Sequence, residues 1–79
     1  MATIFERVRE ITCQVFAAKP EEVTLETKFS EDLGADSLDF TELLIECETE
    51  FDVKIPDDEG QKFQTVGDAV AFLESKGAK

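Results

Sequence analysis

The chain has no histidine, tryptophan or tyrosine, and only two cysteines, two prolines and four glycines. Each shortage excludes something. Without histidine the commonest general base and metal ligand are missing, and most hydrolytic mechanisms go with them. Serine occurs only at positions 30, 37 and 75, with no imidazole to activate any of them, so a self-contained enzyme is the weakest reading. Cys13 and Cys47 are too few and too far apart for a disulfide framework or a zinc site. Among the acids, the twelve-residue pattern of a calcium-binding loop is absent, so no metal site is expected. No stretch approaches the roughly 20 apolar residues of a membrane span, so no membrane insertion is expected. The N-terminus lacks a signal-peptide pattern, which points to the cytoplasm, or to an organelle matrix if a targeting segment has been removed.

Basic residues are also scarce. Nineteen acids face eight bases, for a formal net charge of −11. Such a charge argues against nucleic acid as a partner and favours proteins with basic surfaces. From residue 30 to 59 there are twelve acids and one base, Lys54, whereas the rest of the chain holds seven of each. An acidic run is commonly a solvated face or a disordered tail. Here the acids alternate with apolar residues at core spacing, which argues against a tail. Seventy-nine residues, 42% of them apolar, suffice for one small domain over residues 1–79 with modest stability.

The apolar pattern is helical. Ile4, Val8, Ile11 and Val15 recur at helical spacing over residues 4–16. Thr3 and Glu6 form a capping box, and Lys19-Pro20 is the expected stop. Residues 17–35 lack a period and read as a long loop anchored by Val23, Leu25, Phe29 and Leu33; loops of that length are uncommon unless functional. A second helix runs from about Asp36 to Phe51, with Phe40, Leu43, Leu44, Cys47 and Phe51 on one face. Asp36 is its expected cap, with Gly34 at a turn of positive φ. Pro56 and the acids 57–59 suit the first turn of a short third helix. Thr65 and Asp68 open a fourth, with Val66, Ala69, Val70 and Leu73 inward and Gly77 as its stop. The expected architecture is all-α: a four-helix bundle, one helix short, with a long loop between the first two.

Two aliphatic residues of the second helix, Leu38 and Ile45, fall about 140–160° away from Phe40. Acids flank both, as at the rim of a docking patch, although isolated exposed aliphatics are also ordinary. Ser37 lies in the first turn, where free amides and the helix dipole suit a phosphate. A serine there is just as commonly part of the helix cap. Cys47 falls on the core stripe, and Cys13 falls on the side of its helix away from Ile4 and Val15, where exposure is expected.

The run Asp32-Leu33-Gly34-Ala35-Asp36-Ser37-Leu38-Asp39 resembles the attachment motif of acyl carrier proteins. Glu42-Leu43, Glu50-Phe51-Asp52, Ile55-Pro56-Asp57 and Thr65-Val66 follow in the same order, with Glu6-Arg7-Val8 and Glu22-Val23 before them. The resemblance implies that Ser37 receives 4'-phosphopantetheine from a phosphopantetheinyl transferase, which uses coenzyme A and Mg²⁺ with Asp36 as a transient ligand. Acyl chains would then ride on the arm's thiol as thioesters. It further implies that Asp36, Asp39, Glu42, Glu48 and Asp57 meet basic residues on fatty-acid synthesis enzymes, that Leu38 and Ile45 supply apolar contacts, and that short chains are stored near Leu43, Cys47 and Phe63. No catalytic residue is expected, and the carrier should be a monomer. Thr49 and Gln61 depart from the family pattern of acids, and Phe40 replaces a smaller residue. The alternatives are a specialised carrier of polyketide or aminoacyl units, and an acidic interaction module with no attached group.

Overall fold

The computed structural model describes residues 3–78. Four α-helices follow in order: α1 (Ile4–Phe16), α2 (Ser37–Phe51), α3 (Asp57–Gly60) and α4 (Val66–Ser75), with a 3₁₀ turn at Pro20–Glu22. α1 packs against both α2 and α4. The core is the side chains these helices turn inward, joined by Val23 and Phe29 from the loop and by Ile55 and Phe63 from the flanks of α3.

α1 starts as expected. The Thr3 hydroxyl accepts the Glu6 amide at 3.1 Å, and the Glu6 carboxylate accepts the Thr3 amide at 3.0 Å. Its buried face includes a polar residue, Thr12, whose hydroxyl donates to the Val8 carbonyl at 2.7 Å. That local bond removes the cost of burying a hydroxyl. The helix stops at Phe16, ahead of Lys19-Pro20: Ala17 turns left-handed with φ 54°. Pro20 instead opens the 3₁₀ turn, where its fixed φ is preorganised and its missing amide costs nothing.

The loop is anchored by its backbone as much as by its side chains. Val23 and Phe29 are buried and Leu33 packs on the core, but Leu25 is 47% exposed and is no apolar anchor. Its carbonyl does the work, accepting the Gly67 amide at 2.9 Å, while the Thr27 carbonyl accepts the Val66 amide at 2.9 Å. The loop carbonyls thereby satisfy amides that the first turn of α4 would leave free. A Cβ on Gly67 would sit 2.9 Å from the Leu25 oxygen, so this approach needs glycine. The Phe29 amide donates to the Gln64 carbonyl at 3.0 Å, beside a single antiparallel bridge between Lys28 and Thr65.

α2 buries Leu43, Cys47 and Phe51. Its far end is tied to α1, where Arg7 pairs with Glu50 at 2.9 Å and lies over the Phe51 ring at 4.3 Å. Pro56 precedes α3 as its cap residue instead of lying within its first turn. A Cβ on Gly60 would come within 2.6 Å of a terminal methyl of Leu44, so α3 rests on α2 through bare backbone. α4 has the expected Thr65–Asp68 capping box and buries Val66, Ala69, Val70 and Leu73. Its end is a Schellman motif: Gly77 has φ 76°, and the amides of Ala78 and Gly77 donate to Leu73 and Glu74 at 3.0 and 3.1 Å.

Candidate functional site

The start of α2 is fixed by residues on its N-terminal side. Gly34 takes φ 65°, the Ala35 amide donates to the Phe29 carbonyl at 2.9 Å, and the chain enters the helix at Asp36. The Asp36 carboxylate accepts the Asp39 amide at 2.9 Å, so the cap is the aspartate. Ser37 is therefore the first helical residue and is exposed. Its carbonyl accepts the Thr41 hydroxyl at 2.8 Å, while its own hydroxyl has no hydrogen-bond partner among the described residues. A serine relieved of capping, at the positive end of a helix, is free for chemistry supplied from outside.

Beside it opens a cleft of about 500 Å³ between the loop, the first turns of α2 and the segment after α3. Phe29, Phe40 and Phe63 line its inner side, Ser30, Gln61 and Gln64 its rim, and Ser37 stands at its edge with Asp36. Phe29 and Phe63 are buried and Phe40 is half-buried, whereas Ser30, Gln61 and Gln64 are exposed. The result is an aromatic floor with a polar mouth, which Lys28, Glu31 and Asp36 make charged on the loop and α2 sides. Leu43 and Cys47 do not line it; both are sealed in the core. Of the three residues expected to surround a stored chain, only Phe63 faces this space.

Leu38 is 76% and Ile45 54% exposed, as the helical spacing predicts. Asp36, Glu42 and Asp57 are exposed, and Asp39 is half-buried. Glu48 differs from the other acids. It is half-buried, and its carboxylate accepts the Ile55 amide at 2.7 Å, fixing the turn from α2 to α3. No motif of the sequence announces that bond, because the two residues are separated by the helix end. Backbone hydrogen bonds, from Thr3 in one case and from Gln64 and Thr65 in the other, hold Glu6 and Asp68 below the usual carboxylate range.

Burial disfavours the thiolate form of both cysteines. Burial, reinforced by Glu46, Glu50 and Glu48, pushes the Cys47 thiol up to about 12, so almost none is thiolate at neutral pH. Cys13 is half-buried and packed on the core, not freely exposed, and desolvation raises its thiol too. Among the described residues no group of three or more His, Cys, Asp or Glu is placed to hold a metal ion. No described helix is long and apolar enough to cross a membrane.

Comparison with known proteins gives this geometry a family. Residues 6–73 match the family model described as a phosphopantetheine attachment site. The chain is 53% identical over 78 residues to an acyl carrier protein of Caulobacter vibrioides, covering 99% of this chain and all of that one. It is 50% identical over 76 residues to an acyl carrier protein of Phenylobacterium zucineum, covering 96% of each. A solved structure from Mycobacterium tuberculosis, assigned provisionally as an acyl carrier protein, superposes with a TM-score of 0.87 at 27% identity. That match covers 94% of this chain and 99% of the other. An uncapped-role serine at a helix start, an aromatic cleft beside it and a full-length match to carriers lead to one conclusion: the chain belongs to the acyl carrier protein family, and is a phosphopantetheine-dependent carrier of acyl chains, not an enzyme.

Proposed function

We propose that residues 1–79 form a single carrier domain that holds growing acyl chains in fatty-acid synthesis on 4'-phosphopantetheine attached to Ser37. The observation that carries the assignment to Ser37 is its exposed hydroxyl, unbonded within the described protein, one residue past a cap that Asp36 already provides. The surroundings fit the group. A phosphate on Ser37 would meet the positive end of α2, and an arm leading from it has an adjoining cleft with an aromatic side and a hydrogen-bonding rim.

Loading is a substitution at phosphorus. The Ser37 oxygen forms a bond to the coenzyme A phosphorus that becomes the arm's phosphate, the bond to the nucleotide half breaks, and the nucleotide leaves. The hydroxyl proton goes to a base on the transferase as the new bond forms. Asp36 is exposed at the same helix start, in position to help hold the transferase's Mg²⁺. When bound, the arm supplies a thiol that carries acyl groups as thioesters.

Partners dock on α2. Leu38 and Ile45 offer an apolar centre, and Asp36, Asp39, Glu42 and Asp57 the charge that steers basic-surfaced synthesis enzymes toward it. Glu48 contributes indirectly, by holding the α2–α3 turn. The protein acts as a cytoplasmic monomer. Intact-mass analysis after incubation with coenzyme A and a phosphopantetheinyl transferase tests the reading. The wild type gains one arm and Ser37→Ala gains none; an unmodified wild type, or an arm on Ser37→Ala, overturns it. A specialised carrier is the second reading, and the observation in its favour is Phe40 in the wall of the cleft.

A further inference from the structure

The amides that lead into α2 all turn back on one short stretch. Those of Asp32 and Leu33 donate to the Lys28 carbonyl at 2.9 and 3.2 Å. The Gly34 amide donates to the Ser30 carbonyl at 3.1 Å, and the Ala35 amide to the Phe29 carbonyl at 2.9 Å. The Asp32 side chain closes the turn from the other direction, its carboxylate accepting the Lys28 amide at 2.8 Å. The stretch so gripped is itself fixed. Phe29 is buried and donates its amide to the Gln64 carbonyl at 3.0 Å, while Lys28 bridges to Thr65, the cap of α4. The entry to α2 is thereby tied to the start of α4, with Asp32 as the clasp.

Two adjacent residues compete for the cap that this entry leads to. Asp36 and Ser37 are both of the types that cap helices, and a cap residue must be extended. Asp36 is extended, at φ −95° and ψ −178°, and Ser37 is already helical. Were the helix to begin one residue later, the Ser37 hydroxyl would accept the Phe40 amide, and its oxygen would be engaged in capping. We infer that Asp32 is a positioning residue for loading. By closing residues 28–35 into one turn, it keeps the cap at Asp36 and leaves the Ser37 hydroxyl free for the transferase. This inference rests on attachment at Ser37 as proposed above. Asp32 acts through the Ala35 amide, whose bond to Phe29 delivers the chain to Asp36 already extended. With the clasp gone the turn loosens, both caps are sampled, and the transferase meets a free Ser37 in only a fraction of the molecules. A loss of that kind raises KM in proportion and leaves kcat alone.

The test is transferase kinetics with the arm-free protein as the varied substrate, for the wild type, Asp32→Ala, Asp32→Asn and Gly34→Ala. Gly34 has φ 65°, and nothing lies within 4 Å of where its Cβ would be. Alanine there strains the same turn without a clash or a change of charge. Asp32→Ala raises KM about fivefold at unchanged kcat, a ratio corresponding to about 1 kcal/mol. Gly34→Ala moves KM in the same direction. Asp32→Asn keeps an oxygen that accepts the Lys28 amide and loses only the charge, so it loads like the wild type. The ¹³C shifts of residue 37 move from helical toward extended values in Asp32→Ala and Gly34→Ala, and stay helical in Asp32→Asn. A KM in Asp32→Asn raised as far as in Asp32→Ala overturns the inference, because charge and not the clasp would then be what loading needs. Fully helical shifts at residue 37 in Asp32→Ala overturn it as well. Should Asp32→Ala fail to fold, Gly34→Ala decides by the same two readouts. A wild type that gains no arm strikes the Ser37 reading itself, whereas a wild type that loads beside variants equal to it strikes only the role of Asp32.

Discussion

α2 and α4 treat their apolar residues in opposite ways. α4 turns Val66, Ala69, Val70 and Leu73 all into the core and is sealed at both ends, by a capping box and a Schellman motif. α2 buries Leu43, Cys47 and Phe51 but leaves Leu38 and Ile45 outside among acids that few bases offset. α4 answers only to the fold. α2 answers to the fold along one face and, in the docking proposed above, to partners along the other, and its sequence carries both patterns at once.

Truncating each helix where it serves a different purpose separates the two. Leu73 is fully buried, so Leu73→Ala should cost about 2–5 kcal/mol in a urea titration. Leu38→Ala should change stability by less than about 0.5 kcal/mol, yet slow transferase loading. If Leu38→Ala destabilised as much as Leu73→Ala, the division between the helices would be lost. Glu48 marks the boundary. Glu48→Ala leaves the part-buried Ile55 amide without its acceptor, and should cost about 1–3 kcal/mol, measured by thermal melting. An undiminished melting temperature would return Glu48 to the docking acids.

Glu42 is exposed and belongs to the face proposed for docking. Glu42→Lys should lower kcat/KM for loading by about tenfold at low ionic strength, with the deficit shrinking as salt is added. A deficit indifferent to salt would mean that contact, not steering, had been lost. The smallest effect belongs to the α4 cap. The Asp68 carboxyl is held below its ordinary 3.8 by backbone amides, so its ionised form stabilises the fold above that value. The benefit disappears as pH falls through the lowered folded-state value. Asp68→Asn should therefore melt below the wild type at pH 7, with the gap closing as pH falls below 3.8. A gap that widened on acidification would reverse the sign assigned to the cap.

The helices were legible because local chemistry determines them. Thr3 with Glu6 and Thr65 with Asp68 are caps complete within four residues, and the stripes of α2 and α4 need only a periodicity. The outward placement of Leu38 and Ile45 follows from the same angle count. Ser37 was legible as a helix-start serine, but whether it capped the helix was not, since Asp36 offers the same bond. What escaped the sequence depends on segments that meet only in the fold. Leu25 looks like an anchor by its side chain, and anchors by its carbonyl because Gly67 comes within reach. Glu48 reads as one surface acid among many until Ile55 is brought to it. The cleft takes its walls from three separate stretches, so no single motif could outline it. Ala17 ends α1 in a left-handed turn that no residue type foretells.

The bare backbone of Gly60 against Leu44 has a mechanical meaning. A one-turn helix that meets its neighbour through a glycine approaches more closely than a side chain at that position would allow. Gln61 and Phe63, which bound the cleft, continue directly from that perch. The close seat of α3 on Leu44 therefore fixes where the chain leaves for the cleft beside Ser37, at a place remote in sequence from the serine itself.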